Sequence, residues 1–164
     1  MSKIILVRDV MATKLHTLQP DMSLVQAIAI LLKHKISGAP VVDEAGDLVG
    51  IISEKDCLRL FVNEAFYDQA TEARVADYMS TAIQTIEADA DVFKAAQVFL
   101  ENSFRRLPVL EDGKLVGQVS RRDILLASLK LVQESPVKKA WTDAKYIPEE
   151  LLAVLNSKSF SSRD

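Results

Sequence analysis

The runs GIISEKD at residues 50–56 and GQVSRRD at residues 117–123 each space a glycine, a serine and an aspartate three residues apart. Serine followed three residues on by an acid is a way to start a helix: the hydroxyl satisfies an orphan backbone N–H at the helix tip, and the acid reaches back. The same atoms suit a ligand. A helix tip fed by a glycine turn offers N–H donors and the positive end of the dipole to a phosphate. A carboxylate one turn in, Asp56 or Asp123, can accept two hydrogen bonds from a ribose diol. Gly50 and Gly117 would leave the backbone open to close approach. Capping and nucleoside-phosphate binding therefore compete for Ser53 with Asp56 and for Ser120 with Asp123, and recurrence at equivalent places favours the second.

Around these motifs the chain says nearly the same thing twice, residues 9–58 recurring at 77–125. The offset is 68 at Met11 and Met79 and 67 at Asp56 and Asp123, so one deletion near Ala45 reconciles the copies. A fixed internal period means one supersecondary unit built twice, each copy burying its apolar face against the other, with a ligand expected in the crevice between them. Each copy reads as a short strand at Thr17 and Leu18, then a helix whose apolar positions Leu24, Ala27, Ile28, Leu31 and Leu32 fall on one face. The second copy keeps that register with Val92, Ala95, Ala96, Phe99 and Leu100. Asp21 or Ser23, and Asp89 or Asp91, are the cap candidates. Strands at 39–42 and 48–52 (107–110 and 115–119) flank a tight glycine-containing turn, and a second helix begins at Ser53 or Ser120. The predicted fold class is α/β (α+β): two pseudo-symmetric β-α-β-β-α repeats packed through their sheets, at 4–66 and 72–132. A tail at 133–164 follows, with a short helix opening at Pro148.

Composition narrows the functions. The 164 residues carry 20 basic and 23 acidic side chains, a net charge of −3, which argues against a nucleic-acid footprint. A single cysteine, Cys57, excludes an intramolecular disulfide and a Cys-based zinc site and fits a reducing compartment. No apolar run approaches the roughly 18 residues of a membrane span, and the run at residues 4–7 is too short for a signal peptide. A soluble cytoplasmic protein is expected, with no nucleic-acid or membrane partner.

The paired motifs, with APVVD and LPVLE ahead of them and DVM and DYM at the head of each copy, resemble a tandem cystathionine β-synthase (CBS) domain pair, a free-standing Bateman module, over about residues 7–132. The resemblance implies a non-catalytic sensor that binds AMP, ADP, ATP or S-adenosylmethionine in two clefts between the repeats, with Mg as a companion of the phosphates and no catalytic cofactor. It assigns phosphate and ribose to Ser53 and Asp56 and to Ser120 and Asp123. It turns Ser37, Gly38 and Ala39 in one site, and Arg105, Arg106 and Leu107 in the other, toward the phosphates, and brings Thr17 and Thr85 against the ligand. Occupancy would pass to a regulated protein through a change in the angle between halves or dimer mates.

The copies differ in charge. Arg105, Arg106, Arg121 and Arg122 surround the second motif, where the first has Ser37, Gly38, Glu54 and Lys55. Arginine forks bind phosphate through charge-assisted bonds of about 1.5 to 3 kcal/mol each, so the second motif is the expected phosphate binder, unless Glu101, Glu111 and Asp112 pair with those arginines. Glu54 would repel a phosphate in the first site, and Gln118 stands where the family usually has an apolar residue. His16 and His34 have no partner at metal-ligand spacing and read as surface or strand residues. Cys57 reads as a buried inert thiol, and Trp141 and Tyr146 as pins for the tail. Leu58, Leu60, Phe61 and Val62, and the run from Ile124 to Val132, carry apolar side chains on more than one helix face, for which a symmetric homodimer is the simplest partner. The alternative to a sensor is a structural interaction module whose nucleotide clefts are vestigial.

Overall fold

A computed structural model describes residues 4–62 and 72–134. The expected tail helix at Pro148, with Trp141 and Tyr146, lies outside the described residues. The elements run α1 (Leu24–His34), β1 (Gly38–Val42), β2 (Leu48–Ser53), α2 (Glu54–Phe61), α3 (Val75–Tyr78), β3 (Ile86–Glu87), α4 (Val92–Glu101), β4 (Arg106–Glu111), β5 (Lys114–Ser120) and α5 (Arg121–Glu134). The fold class is mixed α/β.

Two compact bodies form, and they do not follow the sequence copies. Among the described residues, one comprises 15–62 and 72–84 with 112–115; the other comprises 4–14, 85–111 and 116–134. Each sequence copy therefore hands its leading segment to the body built by the other copy.

In the first body β1 and β2 pair antiparallel in the register Gly38 with Ser53, Ala39 with Ile52 and Pro40 with Ile51, with an irregularity at Val41/Val42. The strand expected at Thr17 and Leu18 is a single parallel bridge, Leu18 to Val41. The apolar stripe of α1 faces inward only in part: Leu24, Ala27 and Leu31 join Leu18, Ala39, Val41, Ile52 and Leu60 in one core and Ile28 packs at its margin, whereas Leu32, expected on the same face, is 67% exposed, as its counterpart Leu100 is at 87%, because each lies at the edge of its stripe. Basic Lys33 and His34 occupy the last turn, where the dipole favours cations, and Lys35 ends the helix in the left-handed region at φ 52°. In the second body β3 runs parallel to β4, β5 lies on the other side of β4, and Val92, Ala95 and Phe99 of α4 pack with Leu107, Val109, Val119, Ile124 and Ala127. The turn ahead of β5 has positive φ at Asp112 (51°) and Gly113 (76°), the backbone a two-residue hairpin demands.

The exchanged segments dock by the same bonds in each body. Val7 N–H donates to the Ala90 carbonyl (2.7 Å) and Arg8 N–H to that of Ala88 (2.9 Å); their counterparts Val75 and Ala76 donate to Met22 (3.0 Å) and Pro20 (2.9 Å). Ala12 exchanges two backbone bonds with Gln118, and Ser80 does so with Ile51. These segments also cap the first helices. Ile5 accepts from Val92 N–H (3.0 Å) and Ala73 from Leu24 N–H (2.9 Å). Of the cap candidates, Asp91 accepts from Lys94 N–H at 2.8 Å, whereas the Ser23 side chain makes no capping bond; the Ala73 carbonyl serves the first N–H of α1 instead.

The docking explains both motif glycines. A Cβ on Gly50 would strike Met79 Sδ, and one on Gly117 would lie 2.5 Å from Met11 Sδ and 3.0 Å from the Ala12 carbonyl. The notch that sequence reasoning reserved for a ligand is filled by the methionine of DYM or DVM. Gly50→Ala should cost about 1 to 3 kcal/mol of stability by overpacking. Urea melts of Gly50→Ala, Met79→Ala and the double variant should show that shortening Met79 recovers part of that loss, a coupling of at least about 0.5 kcal/mol; simple additivity would contradict the contact.

Candidate functional site

At each strand-to-helix junction the serine and aspartate close on one another. Ser53 N–H and Oγ–H donate to Asp56 Oδ2 at 2.9 and 2.6 Å, and Asp56 N–H donates to Ser53 Oγ at 3.3 Å. The second junction has the same three bonds at the same distances between Ser120 and Asp123. A strand that passes straight into a helix strands the helix tip's N–H groups, and these two side chains satisfy them. One more is already taken: Glu54 N–H donates to the Ser37 carbonyl (3.0 Å) and Arg121 N–H to that of Arg105 (3.2 Å). The expected row of open N–H donors is thus largely engaged by the protein, and side chains must carry more of any phosphate recognition.

Each body gathers its own predicted residues. In the first, Gly38 faces Ser53 across the β1–β2 ladder, and the Ser37 bond to Glu54 holds that edge against the start of α2. Gly38 has a packing reason to be glycine, since a Cβ there would sit 2.8 Å from the Ile52 carbonyl. Thr17 is exposed and precedes the Leu18 bridge. In the second, Thr85 is half-buried and immediately precedes β3, while Arg105 and Arg106 lead into β4. Ala39 and Leu107 are each 1% exposed and belong to the two cores, so they have only backbone to offer a ligand.

The two edges differ electrostatically. Asp56 Oδ1 lies 3.7 Å from Arg59, and the second copy has Leu126 at that position; Asp123 is buried, 8% exposed. Two of the three acids that could have neutralised the arginines have other partners: Glu111 pairs with Arg8 at 3.0 Å, and Glu101 accepts from Gln97 at 3.0 Å. Arg121 donates to the Asn102 carbonyl at 3.0 Å. Arg105, Arg106 and Arg122 are exposed, and among the described residues no ion pair holds them.

Sequence reasoning missed two contacts. The methionine–glycine packing was signalled by Met and Gly recurring at matched places in both copies. The other is between the histidines, whose rings stack; nothing in their spacing announces it. Cys57 is buried, and burial, then the charge of Asp56, raise its thiol pKa, so a helix start beside an acid does not activate it. Ellman's reagent should therefore modify the native protein about tenfold or more slowly than the urea-unfolded chain at the same pH. Equal rates would mean an accessible thiolate.

Comparison with known proteins meets this geometry. The CBS domain profile matches twice, at residues 7–63 and 75–130. The structure of CBSX2 from Arabidopsis thaliana in complex with AMP superposes with a TM-score of 0.67 at 34% identity, covering 77% of this chain and 97% of that one. The CBS domain pair of protein MJ0100, in complex with 5′-methylthioadenosine and S-adenosyl-L-methionine, gives a TM-score of 0.65 at 29% identity, over 78% of this chain and 98% of that one. An A-adding tRNA nucleotidyltransferase of Aquifex aeolicus is 36% identical over 121 residues, 74% of this chain but only 14% of that enzyme. The resemblance thus lies in a module that also occurs within much longer proteins. With both copies matched and the fold shared, the chain belongs to the CBS domain family, as a tandem pair.

Proposed function

We propose that the chain is a regulatory module that binds adenosine-containing ligands at the Ser53–Asp56 and Ser120–Asp123 edges and reports their presence to another protein. The observation that carries this reading is the duplicated serine–aspartate junction, with three exposed arginines beside its second copy that no ion pair holds among the described residues. Structural neighbours bound to AMP and to S-adenosyl-L-methionine support the ligand class. Ribose hydroxyls would replace part of the Ser–Asp exchange at the carboxylate, and Arg105, Arg106 and Arg122 would take the phosphates of AMP, ADP or ATP, with Mg held by the phosphates themselves. The first edge, with Glu54 at the helix start and Arg59 beside Asp56, would suit a less anionic adenosine compound. We assign no catalytic step to the chain. A cytoplasmic location fits this role, and no helix among the described residues is long and apolar enough to cross a membrane.

A homodimer belongs to the same proposal, supported by Leu58, Phe61 and Val62 at 59%, 58% and 83% exposure and by Leu125 at 66%. The same exposed side chains favour the second reading, a structural interaction module. Thermal unfolding with AMP, ADP, ATP, S-adenosylmethionine and NAD separates the two. A ligand at 100 times its dissociation constant should add about 2.7 kcal/mol of stability, and Asp123→Ala should remove most of it. No stabilisation by any of the five favours the interaction module.

A paired prediction concerns phosphate. Replacing Arg105 and Arg122 by Gln should weaken ATP by about tenfold or more per charge-assisted bond lost while leaving adenosine nearly unchanged, as titration calorimetry would show. Equal losses for both ligands would remove the arginines from phosphate binding.

A further inference from the structure

His16 and His34 are the chain's only histidines, and in the first body their rings stack with centroids 3.7 Å apart and planes 24° from parallel. His16 precedes Thr17, and Leu18 joins β1 by donating to the Pro40 carbonyl (3.0 Å) and accepting from Val42 N–H (2.9 Å). His34 closes α1, and the chain then turns through left-handed Lys35 to Ser37 and Gly38. The stack therefore ties the segment that carries Thr17 to the helix end that delivers Ser37 and Gly38. Face-stacked imidazoles point their in-plane lone pairs alongside one another, which suits a proton-sensitive contact better than a shared metal ion. Two imidazolium rings at this spacing repel.

The surroundings act on His34 in both directions: the C-terminal end of α1 favours a cation there, while its neighbours disfavour one. Burial, then His16, then Lys33 hold His34 below the usual imidazole range. Lys35, after α1, is a further cation nearby in the chain. The second copy has Gln84 and Asn102 at the matching positions, side chains that do not titrate; Asn102 spends its amide on the Val98 carbonyl at 2.9 Å.

We propose that the His16–His34 stack is a proton-operated clamp on the first copy's ligand edge, closed when both rings are neutral and opened in mildly acid solution, so that binding at Ser53 and Asp56 depends on pH while binding at Ser120 and Asp123 does not. Folded His34 accepts its proton less readily than it does in the unfolded chain. The clamp's contribution is thus present above about pH 6.5 and is lost as pH falls below it. The ligand half of this statement rests on the adenosine reading; the clamp half does not.

Two imidazole spin systems make the test direct, by NMR titration of the full chain from pH 5 to 8. The expected result is a coupled titration, in which His16→Gln shifts the curve of His34 and His34→Asn shifts that of His16. The amides of Thr17, Ser37, Gly38 and Ala39 should move with the second proton, and those of Thr85, Arg105 and Arg106 should not. Independent titrations would overturn the clamp, and coupled titrations with those four amides unmoved would overturn its link to the edge. Calorimetry with AMP at pH 5.5 and 7.5 supplies the second arm. The wild type should lose about three- to tenfold more affinity on acidification than the His16→Gln/His34→Asn variant, the phosphate's own titration being common to both. Equal losses would overturn the regulation. If AMP binds to neither protein at either pH, the adenosine reading fails and the NMR arm alone decides the clamp.

Discussion

The reciprocal hydrogen bonds between serine and aspartate at each strand-to-helix junction are the constraint from which the functional edges follow. With no loop between β2 and α2, or between β5 and α5, the helix tip begins at the sheet, and its N–H groups would be left unsatisfied without these side chains. The serine must sit at the end of the strand and the aspartate three residues on, so both polar groups end up at the same rim as the residues leading into the neighbouring strand. A carboxylate held this way is oriented in advance, and a sugar hydroxyl arriving there meets an acceptor already in place. The structural role of the motif and the ligand role proposed for it are therefore compatible, since both need the same geometry.

A second layer follows from the exchange of leading segments. Residues 5–12 are covalently continuous with the first copy yet hydrogen-bonded into the body of the second, and residues 73–80 show the converse. The methionine of each segment rests on the glycine that opens the Ser–Asp motif. Any movement of that motif strand has a direct mechanical partner in a segment that runs on into the other copy.

Much of the architecture was legible because periodicity reports burial. Leu24, Ala27 and Leu31, with Val92, Ala95 and Phe99, could face a core from one side of a helix only, and they do. The hairpin at Asp112 and Gly113 was equally readable, since positive φ at two consecutive residues limits the choice of side chain. The cap of α1 was not. Ser23 had the right chemistry and position, but a carbonyl from Ala73, fifty residues away in the chain, took the helix's first N–H. The glycine notch misled for a related reason: an absent Cβ reveals that something comes close, not what does.

Local chemistry by itself determined the order helix, strand, strand, helix within each copy, the two Ser–Asp junctions and the excess of arginine around the second, because each depends on residues adjacent in the chain or repeated at a fixed offset, whereas the strand expected at Thr17 and Leu18 shrank to one bridge. Tertiary structure decided which carbonyls cap α1 and α4, which side chains fill the glycine notches, which partners Glu101 and Glu111 take, and that His16 meets His34. Each of those is a contest among partners distant in sequence, settled by which of them the folded backbone brings within reach.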